Sequence, residues 1–314
     1  MFSIAEKRSG AMAYFAPFRP AEAPCRGEGG GARRLRRYNR RVPELPEVET
    51  IVRSIRLRLV RRRIVRFSTC WAKHAQPNVR AVRRGIVGRT IVRVSRRGKF
   101  IVFHLAPSGY LLVHLRMSGR FEWAADHPTE PAHVRTIWNL DDGSRLLFCD
   151  ARKFGRVIYA KDLAHATADL GVEPLSREFT RAALTQLLRR RKRQLKALLL
   201  DQTLVAGLGN IYTDEALFRA GIHPLTRSDT LQRRPIAALH AAIRAVLREA
   251  IRCHGTSIDW IYPGGWMQKH LRVYGRTGEP CPQCGSRIEY LRVGQRGTHV
   301  CRVCQPLNGK PRLP

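Results

Sequence analysis

Hydrophobic positions divide the chain into a short helical stretch, a long stretch with strand spacing and a second helical stretch. Pro46 stands where the first helical spacing begins, and the acids Glu47 and Glu49 follow within one turn. Proline fits the first turn of a helix, and carboxylates complement its partial positive charge, so we predict a helix start here. The apolar residues that mark its buried face are Val48, Ile51, Val52, Ile55 and Leu59.

Apolar and polar residues alternate from about Ile64 to Tyr159, which is the spacing of half-buried strands. Residues 100–105 and 110–115 flank a Pro-Ser-Gly turn, and residues 134–140 and 145–149 flank Asp-Asp-Gly-Ser. Both patterns predict β-hairpins. Several short strands joined by turns favour an antiparallel sandwich or barrel.

Helical spacing returns from about Thr180, and one long amphipathic helix is predicted to end near Gly255. Because the helical and strand regions are segregated, we predict the α+β fold class. The predicted units are an antiparallel β-sandwich domain with a leading helix at 43–162, a helical domain at 176–270 and a cysteine-rich segment at 271–307.

Residues 1–42 differ from the rest, with scattered glycine and proline, a run of arginines and no persistent period. We interpret them as a disordered arm or as a stretch that is never translated. A transit peptide fits poorly, because Glu6, Glu22 and Glu28 interrupt the segment.

The formal net charge of +34 favours a polyanionic partner, above all nucleic acid. The alternative is a solvated basic surface that reflects arginine-rich codon usage. No apolar run is long enough to span a bilayer, and we expect no membrane partner. Four cysteines are isolated and no secretory signal is found, which favours a reducing cytoplasm. These cysteines are Cys25, Cys70, Cys149 and Cys253.

The other four cysteines form two pairs with the same two-residue spacing, and 16 residues separate the pairs. A β-hairpin of that length brings the pairs together, and four thiolates in a tetrahedron favour one structural Zn²⁺. A redox pair or an iron–sulfur centre is the alternative. Arg296 lies inside the hairpin and faces either nucleic acid or solvent. The predicted zinc ligands are Cys281, Cys284, Cys301 and Cys304.

The segment Pro43-Glu44-Leu45-Pro46-Glu47-Val48-Glu49-Thr50 resembles the start of the formamidopyrimidine-DNA glycosylase family, which includes endonuclease VIII. Residues 150–155, 207–212 and 273–276 and the zinc hairpin match in the same order, so the resemblance covers nearly all of 43–305. Leu45-Pro46 favours the formamidopyrimidine branch, because endonuclease VIII usually has Gly-Pro there. The resemblance implies a monomeric base-excision-repair glycosylase and AP lyase that acts on oxidised or ring-opened purines in damaged double-stranded DNA.

The resemblance assigns Pro43 as a Schiff-base nucleophile that must be the first residue. A free secondary amine with a pKa of roughly 8 can attack C1′ of a nucleotide, whereas the tertiary amide of an internal proline cannot. Valine codons include GUG, a bacterial start codon, so we hypothesise that translation begins at Val42. The alternatives are a basic arm that is cleaved later and an uncleaved, inactive chain.

The resemblance also assigns proton transfer to Glu44 and Lys99, and it places Lys99 near a DNA phosphate. Glu47 serves either the same site or only the helix start. Without the resemblance, Glu44 would be interpreted as a helix cap and Lys99 as a charge at a strand edge.

A flipped-out nucleotide leaves a gap in the duplex, and the family fills it with a methionine, an arginine and a phenylalanine. Met117, Arg152 and Phe154 match these residues, although Met117 and Phe154 alone would be interpreted as core. Residues 194–220 resemble the family's helix–two-turn–helix module. There Lys196 on the first helix, and Asn210 with backbone N–H groups at the start of the second, are predicted to contact the DNA backbone together with Arg296.

The loop around Tyr262–Trp266 is a few residues shorter than is usual in the family and carries aromatic residues. This departure predicts a weaker preference for 8-oxoguanine than for ring-opened purines or oxidised pyrimidines. Three alternative functions remain at this point. They are an endonuclease VIII-like enzyme for oxidised pyrimidines, a non-catalytic binder of damaged DNA, and a zinc-ribbon transcription factor.

Overall fold

A computed structural model describes residues 42–257 and 264–307. Its α-helices are α1 Leu45–Leu59, α2 Val79–Ile86, α3 Leu163–Ala166, α4 Arg181–Arg189, α5 Leu195–Leu199, α6 Asn210–Arg219 and α7 Arg233–Arg252. Its strands are β1 Ile64–Thr69, β2 Ala75–Gln76, β3 Thr90–Arg97, β4 Phe100–Ala106, β5 Tyr110–His114, β6 Gly119–Trp123, β7 Val134–Leu140, β8 Arg145–Asp150, β9 Arg156–Ala160, β10 Glu289–Val293 and β11 Arg296–Val300. The predicted extension lies outside the described residues, apart from Val42.

Helix α1 leads the fold, as predicted, and its start is fixed by a reciprocal capping arrangement between Glu44 and Glu47. The backbone N–H of Glu44 donates to Glu47 Oε2 at 3.0 Å. Leu45 belongs to the core of the helical region, whereas Val48 and the apolar residues after it belong to the core of the β region. Helix α1 therefore ties the two regions together at its first turn.

Two sheets face each other over an apolar core to form the predicted sandwich. One sheet has the strand order β1-β7-β8-β6, and the other has the order β2-β9-β5-β4-β3. Both predicted hairpins, β4–β5 and β7–β8, are antiparallel and confirmed. The one parallel pair among the described strands joins the two-residue β2 to β9, at the edge of the second sheet.

Helices α4 to α7 build the second region around a core of buried leucines and isoleucines. Helix α7 buries one face along its length, at Ile236, Leu239, Ile243, Val246 and Leu247 among others, and this confirms the predicted amphipathic helix. The predicted helix–two-turn–helix corresponds to α5 and α6. Of the helices that the structure describes, none combines the length and hydrophobicity that crossing a bilayer requires.

Strands β10 and β11 form the predicted cysteine-rich hairpin. Its two-residue turn, Gly294-Gln295, has positive φ at both positions, as the tight turns favoured by twisted hairpins require. A Cβ at Gly294 would lie 3.4 Å from Ala197, so the turn packs closely on α5. The hairpin is thus held against the helical region rather than projecting from it.

Candidate functional site

The carboxylate of Glu44 is buried against the start of α6. Its Oε1 accepts from the backbone N–H of Ile211 at 2.8 Å, and its Oε2 accepts from the backbone N–H of Tyr212 at 3.4 Å. The adjacent turn makes room for it, because any Cβ at Gly209 would overlap the Glu44 carboxyl group. Pro43, also buried, therefore lies where the β-sandwich meets the two-turn loop.

Glu47 lies beneath Glu44 and joins three parts of the chain. It accepts hydrogen bonds from the backbone of Glu44, from the hydroxyl of Tyr212, and from Thr256 through both its N–H at 2.8 Å and its hydroxyl at 3.0 Å. Burial raises the pKa of Glu47, and burial also holds the pKa of Tyr212 well above its usual value. Sequence reasoning missed Tyr212 and Thr256 as partners of this acid.

Glu44 and Lys99 influence each other's protonation. Burial raises the pKa of Glu44 to about 7, and the charge of Lys99 opposes that rise. Burial lowers the pKa of Lys99, and the charges of Glu44 and Glu47 oppose that fall. The structure thus brings three of the predicted catalytic residues into one site, where the carboxyl group of Glu44 can hold or release a proton near neutral pH.

Lys99 stands in the turn between β3 and β4, and Glu173 holds that turn. The Glu173 carboxylate accepts from the backbone N–H of Gly98 and forms ion pairs with Arg96 at 2.8 Å and with Arg97 at 3.3 Å. A Cβ at Gly98, where φ is +57°, would lie 3.4 Å from Ala206, so the turn touches the two-turn loop. Nothing local in the sequence singles out Glu173.

His114 at the end of β5 is a further residue that sequence reasoning missed. Its ring packs edge-on against Phe100 with centroids 4.8 Å apart, and its Nδ1 accepts from the backbone N–H of Arg116 at 3.0 Å. Burial lowers the pKa of His114 to about 3, so the ring is neutral at physiological pH. It fixes the start of the loop that carries Met117.

Met117, Arg152 and Phe154, which are predicted to fill the gap in the duplex and are called the wedge residues below, lie together. The Arg152 guanidinium donates to Met117 Sδ at 3.0 Å and lies 4.7 Å from the ring centroid of Phe154. Phe154 is 46% exposed, which excludes the alternative interpretation of this residue as core. A flexible apolar side chain, a guanidinium and an exposed ring therefore form one small group on the β-sandwich.

Lys196 corrects a prediction, because its side chain is enclosed and cannot reach DNA in this structure. Its ammonium forms an ion pair with Asp214 at 2.6 Å, and both side chains are 0% exposed. It also donates to Gly297 O at 2.9 Å and to Thr298 Oγ1 at 2.8 Å. Burying a charge is costly unless it is paired and hydrogen bonded, and these acceptors meet that requirement.

The start of α6 departs in part from the predicted phosphate contact. Asn210 does begin the helix, but its Nδ2 donates to Gly297 O of the zinc hairpin at 2.9 Å. The backbone N–H groups of Ile211 and Tyr212 donate to the Glu44 carboxyl group, so a side chain of the protein itself occupies the position expected for a phosphate. Arg296 is exposed at the hairpin turn, and its charge contributes to the lowered pKa of Lys99.

The four predicted zinc ligands converge, with all sulfur atoms within 4.8 Å of one another. The Sγ atoms of Cys281 and Cys304 are 3.8 Å apart, and those of Cys284 and Cys301 are 3.4 Å apart. Zinc–sulfur bonds of about 2.3 Å in a tetrahedron place sulfurs about 3.8 Å apart, so the four thiols fit Zn²⁺. With four protein ligands no position is open, and the zinc ion is structural.

The buried acid–lysine site, the group of Met117, Arg152 and Phe154 on the β-sandwich and the zinc hairpin fit a nucleic-acid-processing enzyme. Family models agree with this class along most of the chain. The formamidopyrimidine-DNA glycosylase N-terminal domain matches residues 42–157, the formamidopyrimidine-DNA glycosylase H2TH domain matches 170–261, and the zinc finger found in FPG and IleRS matches 278–307.

Similar proteins and structures cover most of this chain. A formamidopyrimidine-DNA glycosylase from Chloroflexus aggregans is 45% identical over 278 residues, which is 85% of this chain and 99% of the relative. One from Protochlamydia amoebophila is 39% identical over 277 residues, which is 84% of this chain and 99% of the relative. Lactococcus lactis Fpg in complex with abasic-site DNA matches with a TM-score of 0.78 and 36% identity, over 84% of this chain and 99% of that one. MutM in complex with DNA that contains carbocyclic 8-oxo-G matches with a TM-score of 0.79 and 36% identity, over 84% and 100% of the two chains.

The chain belongs to the formamidopyrimidine-DNA glycosylase family. The resemblance found in the sequence is thereby confirmed, and so is the activity that it implied, that of a DNA glycosylase for oxidised purines with AP-lyase activity. A zinc-ribbon transcription factor is excluded, because the matches extend far beyond the zinc hairpin.

Proposed function

We propose that Pro43, when its amine is free, is the nucleophile of this glycosylase and lyase. The observation that carries the proposal is the buried carboxyl group of Glu44, which follows Pro43 directly and whose pKa is raised to about 7 beside Lys99. A nucleophile with a proton donor of near-neutral pKa beside it is the arrangement that this chemistry requires.

The proposed reaction begins when the amine of Pro43 attacks C1′, the bond from C1′ to the damaged base breaks, and the departing base takes up the proton that the amine loses. Glu44 donates its proton to the sugar ring oxygen as the ring opens, and the nitrogen–carbon bond becomes an iminium. The iminium acidifies the C2′ proton, whose removal expels the 3′ phosphate by β-elimination, and δ-elimination then expels the 5′ phosphate. Lys99 exchanges protons and contacts a phosphate, while Glu47 holds the backbone of Glu44 in place.

DNA contacts are proposed for the exposed groups around this site. Met117 and Phe154 would enter the gap that the flipped nucleotide leaves in the base stack. Arg152 would pair with the base on the opposite strand that has lost its partner. Arg296 would bind a backbone phosphate. Asn210 would act less directly, because its side-chain amide donates a hydrogen bond to the carbonyl of Gly297 in the zinc hairpin, next to Arg296.

The lesion preference that we propose is for ring-opened formamidopyrimidines over 8-oxoguanine. It rests on the short loop around residues 262–266, of which Tyr262 and Pro263 lie outside the described residues, and on Trp266, whose side chain is 61% exposed. Cleavage of duplexes that differ only in the lesion would test it. Faster cleavage of 8-oxoguanine opposite cytosine would refute the preference and leave the proposed nucleophile intact.

We further propose that residues 1–42 are absent from the active enzyme, and that residues 43–162, 176–270 and 271–307 are its catalytic, helix–two-turn–helix and zinc-finger domains. The working form would be a monomer in the bacterial cytoplasm. The intact mass of the native protein tests the first point, because a mass that includes residues 1–42 would contradict it. Sedimentation analysis of the same sample tests the monomer.

Borohydride trapping tests the nucleophile. Chain that begins at Pro43 and chain that retains residues 1–42 would each be incubated with abasic-site DNA and borohydride. We expect a covalent adduct from the first form only, because the internal proline of the second form has no amine lone pair to attack C1′. Adducts from both forms would show that another amine reacts. Adducts from neither form would favour a non-catalytic binder of damaged DNA.

A further inference from the structure

Asp150, the last residue of β8, has a buried carboxylate that joins two separate loops. The first loop, residues 115–118, connects β5 to β6, and the second loop, residues 151–155, connects β8 to β9. Its Oδ1 accepts from the hydroxyl of Ser118 and from the backbone N–H of Arg152 at 3.2 Å, while its Oδ2 accepts from the backbone N–H of Gly155 at 2.7 Å. Ser118 closes the link, because its Oγ also accepts from the backbone N–H of Arg152 at 3.1 Å.

The same strand supplies the surface on which both loops rest. The ring of Phe148 lies so close that a Cβ at Gly119 would be 2.8 Å from it, and a Cβ at Gly155 would be 2.5 Å from it. Neither loop can therefore move inward, and neither glycine can carry a side chain without displacing the ring. Phe148 and Asp150, both on β8, therefore hold the two loops in place together.

Both loops also contain a residue in the left-handed region, where side chains with a Cβ are disfavoured. Arg116 precedes Met117 with φ of 56°, and Lys153 separates Arg152 from Phe154 with φ of 59°. The Lys153 ammonium lies 4.5 Å from the ring centroid of Trp71, an attractive arrangement of a cation over an aromatic face. Backbones of this kind persist only where their surroundings hold them, and Asp150 provides three of the hydrogen bonds that do so.

We infer that Asp150 and Ser118 are positioning residues that fix Met117, Arg152 and Phe154 as one rigid wedge. The inference rests on the proposed function, in which these three side chains enter the DNA stack. Asp150 is 0% exposed, so it acts through the loops and does not contact DNA. A preset wedge enters the duplex without first ordering its loops, which lowers the cost of flipping the nucleotide.

The test compares two substrates, because only one of them needs a wedge. A lesion in duplex DNA must be flipped and its gap filled, whereas an abasic site in a single strand has no stack to open. We would measure single-turnover cleavage of both substrates by Asp150→Asn, Ser118→Ala and the double variant. Asp142→Asn, in the turn at the other end of β8, is the matched control.

For the duplex lesion we expect a loss of about tenfold or more in Asp150→Asn, because an amide cannot accept all three hydrogen bonds. Single-strand abasic cleavage should stay within about twofold of wild type, since the reacting groups are untouched. The double variant should be little worse than Asp150→Asn, because both residues act through one link. A 2-aminopurine opposite the lesion should report slower unstacking in each variant, while the control should match wild type.

Equal losses on both substrates would overturn the inference, because they would indicate a general structural defect. Unchanged duplex cleavage and unchanged 2-aminopurine kinetics would also overturn it. Should Asp150→Asn not fold, Ser118→Ala removes a single hydroxyl and answers the same question. Failure of the proposed function looks different, because wild-type chain with a free Pro43 would then form no borohydride adduct with the single-strand abasic site.

Discussion

At the scale of single residues, Glu44 shows which of two opposing effects dominates a pKa. Its carboxylate accepts two backbone N–H groups at the start of α6, and these favour the charged form. Lys99 favours the charged form as well. Loss of hydration on burial outweighs all three contributions and raises the pKa to about 7. The carboxyl group is therefore able to hold a proton at the pH where the amine of Pro43 can lose one.

The pH dependence of base removal should follow from this pair. The reactive form needs protonated Glu44, with a pKa of about 7, and an unprotonated Pro43 amine, with a pKa of roughly 8. The product of these two fractions is largest between the two values, so single-turnover base release should give a narrow bell with its maximum at about pH 7.5.

Cleavage at a preformed abasic site provides the comparison. No base is expelled there, and the amine can react with the aldehyde form of the sugar, whose ring is open, so protonated Glu44 is not required. We expect its rate to rise with pH and then stay level, without the falling limb. A falling limb of the same position for both substrates would argue against Glu44 as the proton donor.

The free energy of unfolding should also depend on pH through the raised pKa of Glu44. The native state binds the Glu44 proton more tightly than the unfolded chain does, because the pKa rises from 4.5 to about 7 on folding. The resulting contribution to the free energy of unfolding is complete below about pH 4.5 and is lost as the pH rises through about 7. Glu44→Gln lacks this loss, so its free energy of unfolding relative to wild type should increase by about 3 kcal/mol between pH 4 and pH 8. Urea unfolding at the two pH values measures this, and a constant difference would contradict it.

At the scale of elements, the zinc hairpin and the helix–two-turn–helix are joined by polar groups that neither could bury alone. Asp214 on α6 accepts from Lys196 on α5 and from the backbone N–H of His299 on β11 at 3.0 Å. The side chain of Gln305 reaches Ile222 O at 2.9 Å. The order of the turn that presents Arg296 therefore depends on α5 and α6 as well as on zinc.

Lys196→Met should destabilise the protein strongly. It keeps the length of the side chain but leaves the Asp214 carboxylate buried without its partner, which costs about 3–5 kcal/mol in the free energy of unfolding. Arg193→Met is the matched control, because Arg193 pairs with Asp201 at 2.8 Å but is 46% exposed, and such pairs contribute less than about 1 kcal/mol. Urea denaturation compares the two variants. Equal decreases in the free energy of unfolding of the two variants would mean that the buried Lys196–Asp214 pair stabilises the fold no more than an exposed pair does.

The elements that the sequence predicted correctly are those with a local signal. Helix α1 and helix α7 follow from apolar spacing, and the hairpins follow from spacing and turn residues. The wrong interpretation of Lys196 arose because the Gly297 carbonyl that helps to enclose it lies 101 positions away. Glu173 and Thr256 escaped notice for the same reason, since their partners Gly98 and Glu47 lie 75 and 209 positions distant. No periodicity within one element encodes such pairs.

At the scale of the whole molecule, the charge of +34 belongs mostly to the part that would bind DNA. Residues 1–42 contain ten basic and three acidic residues, so +27 belongs to residues 43–314. Total charge speeds encounter with a polyanion but does not say which side chains contact phosphates. The salt dependence of binding separates these effects, because each neutralised phosphate releases counterions and steepens the slope of log affinity against log salt by about 0.9.

Arg296→Gln should therefore make that slope shallower by about one, if Arg296 binds a phosphate as proposed. Arg53→Gln removes the same charge from α1, where Arg53 is 55% exposed and pairs with Glu49 at 2.9 Å. It should lower the affinity slightly and leave the slope unchanged. Fluorescence anisotropy with a labelled abasic-site duplex over a range of salt concentrations measures both. Equal changes of slope in the two variants would mean that net charge governs binding and that Arg296 makes no phosphate contact. A change in Arg296→Gln alone would tie the zinc hairpin directly to the DNA backbone.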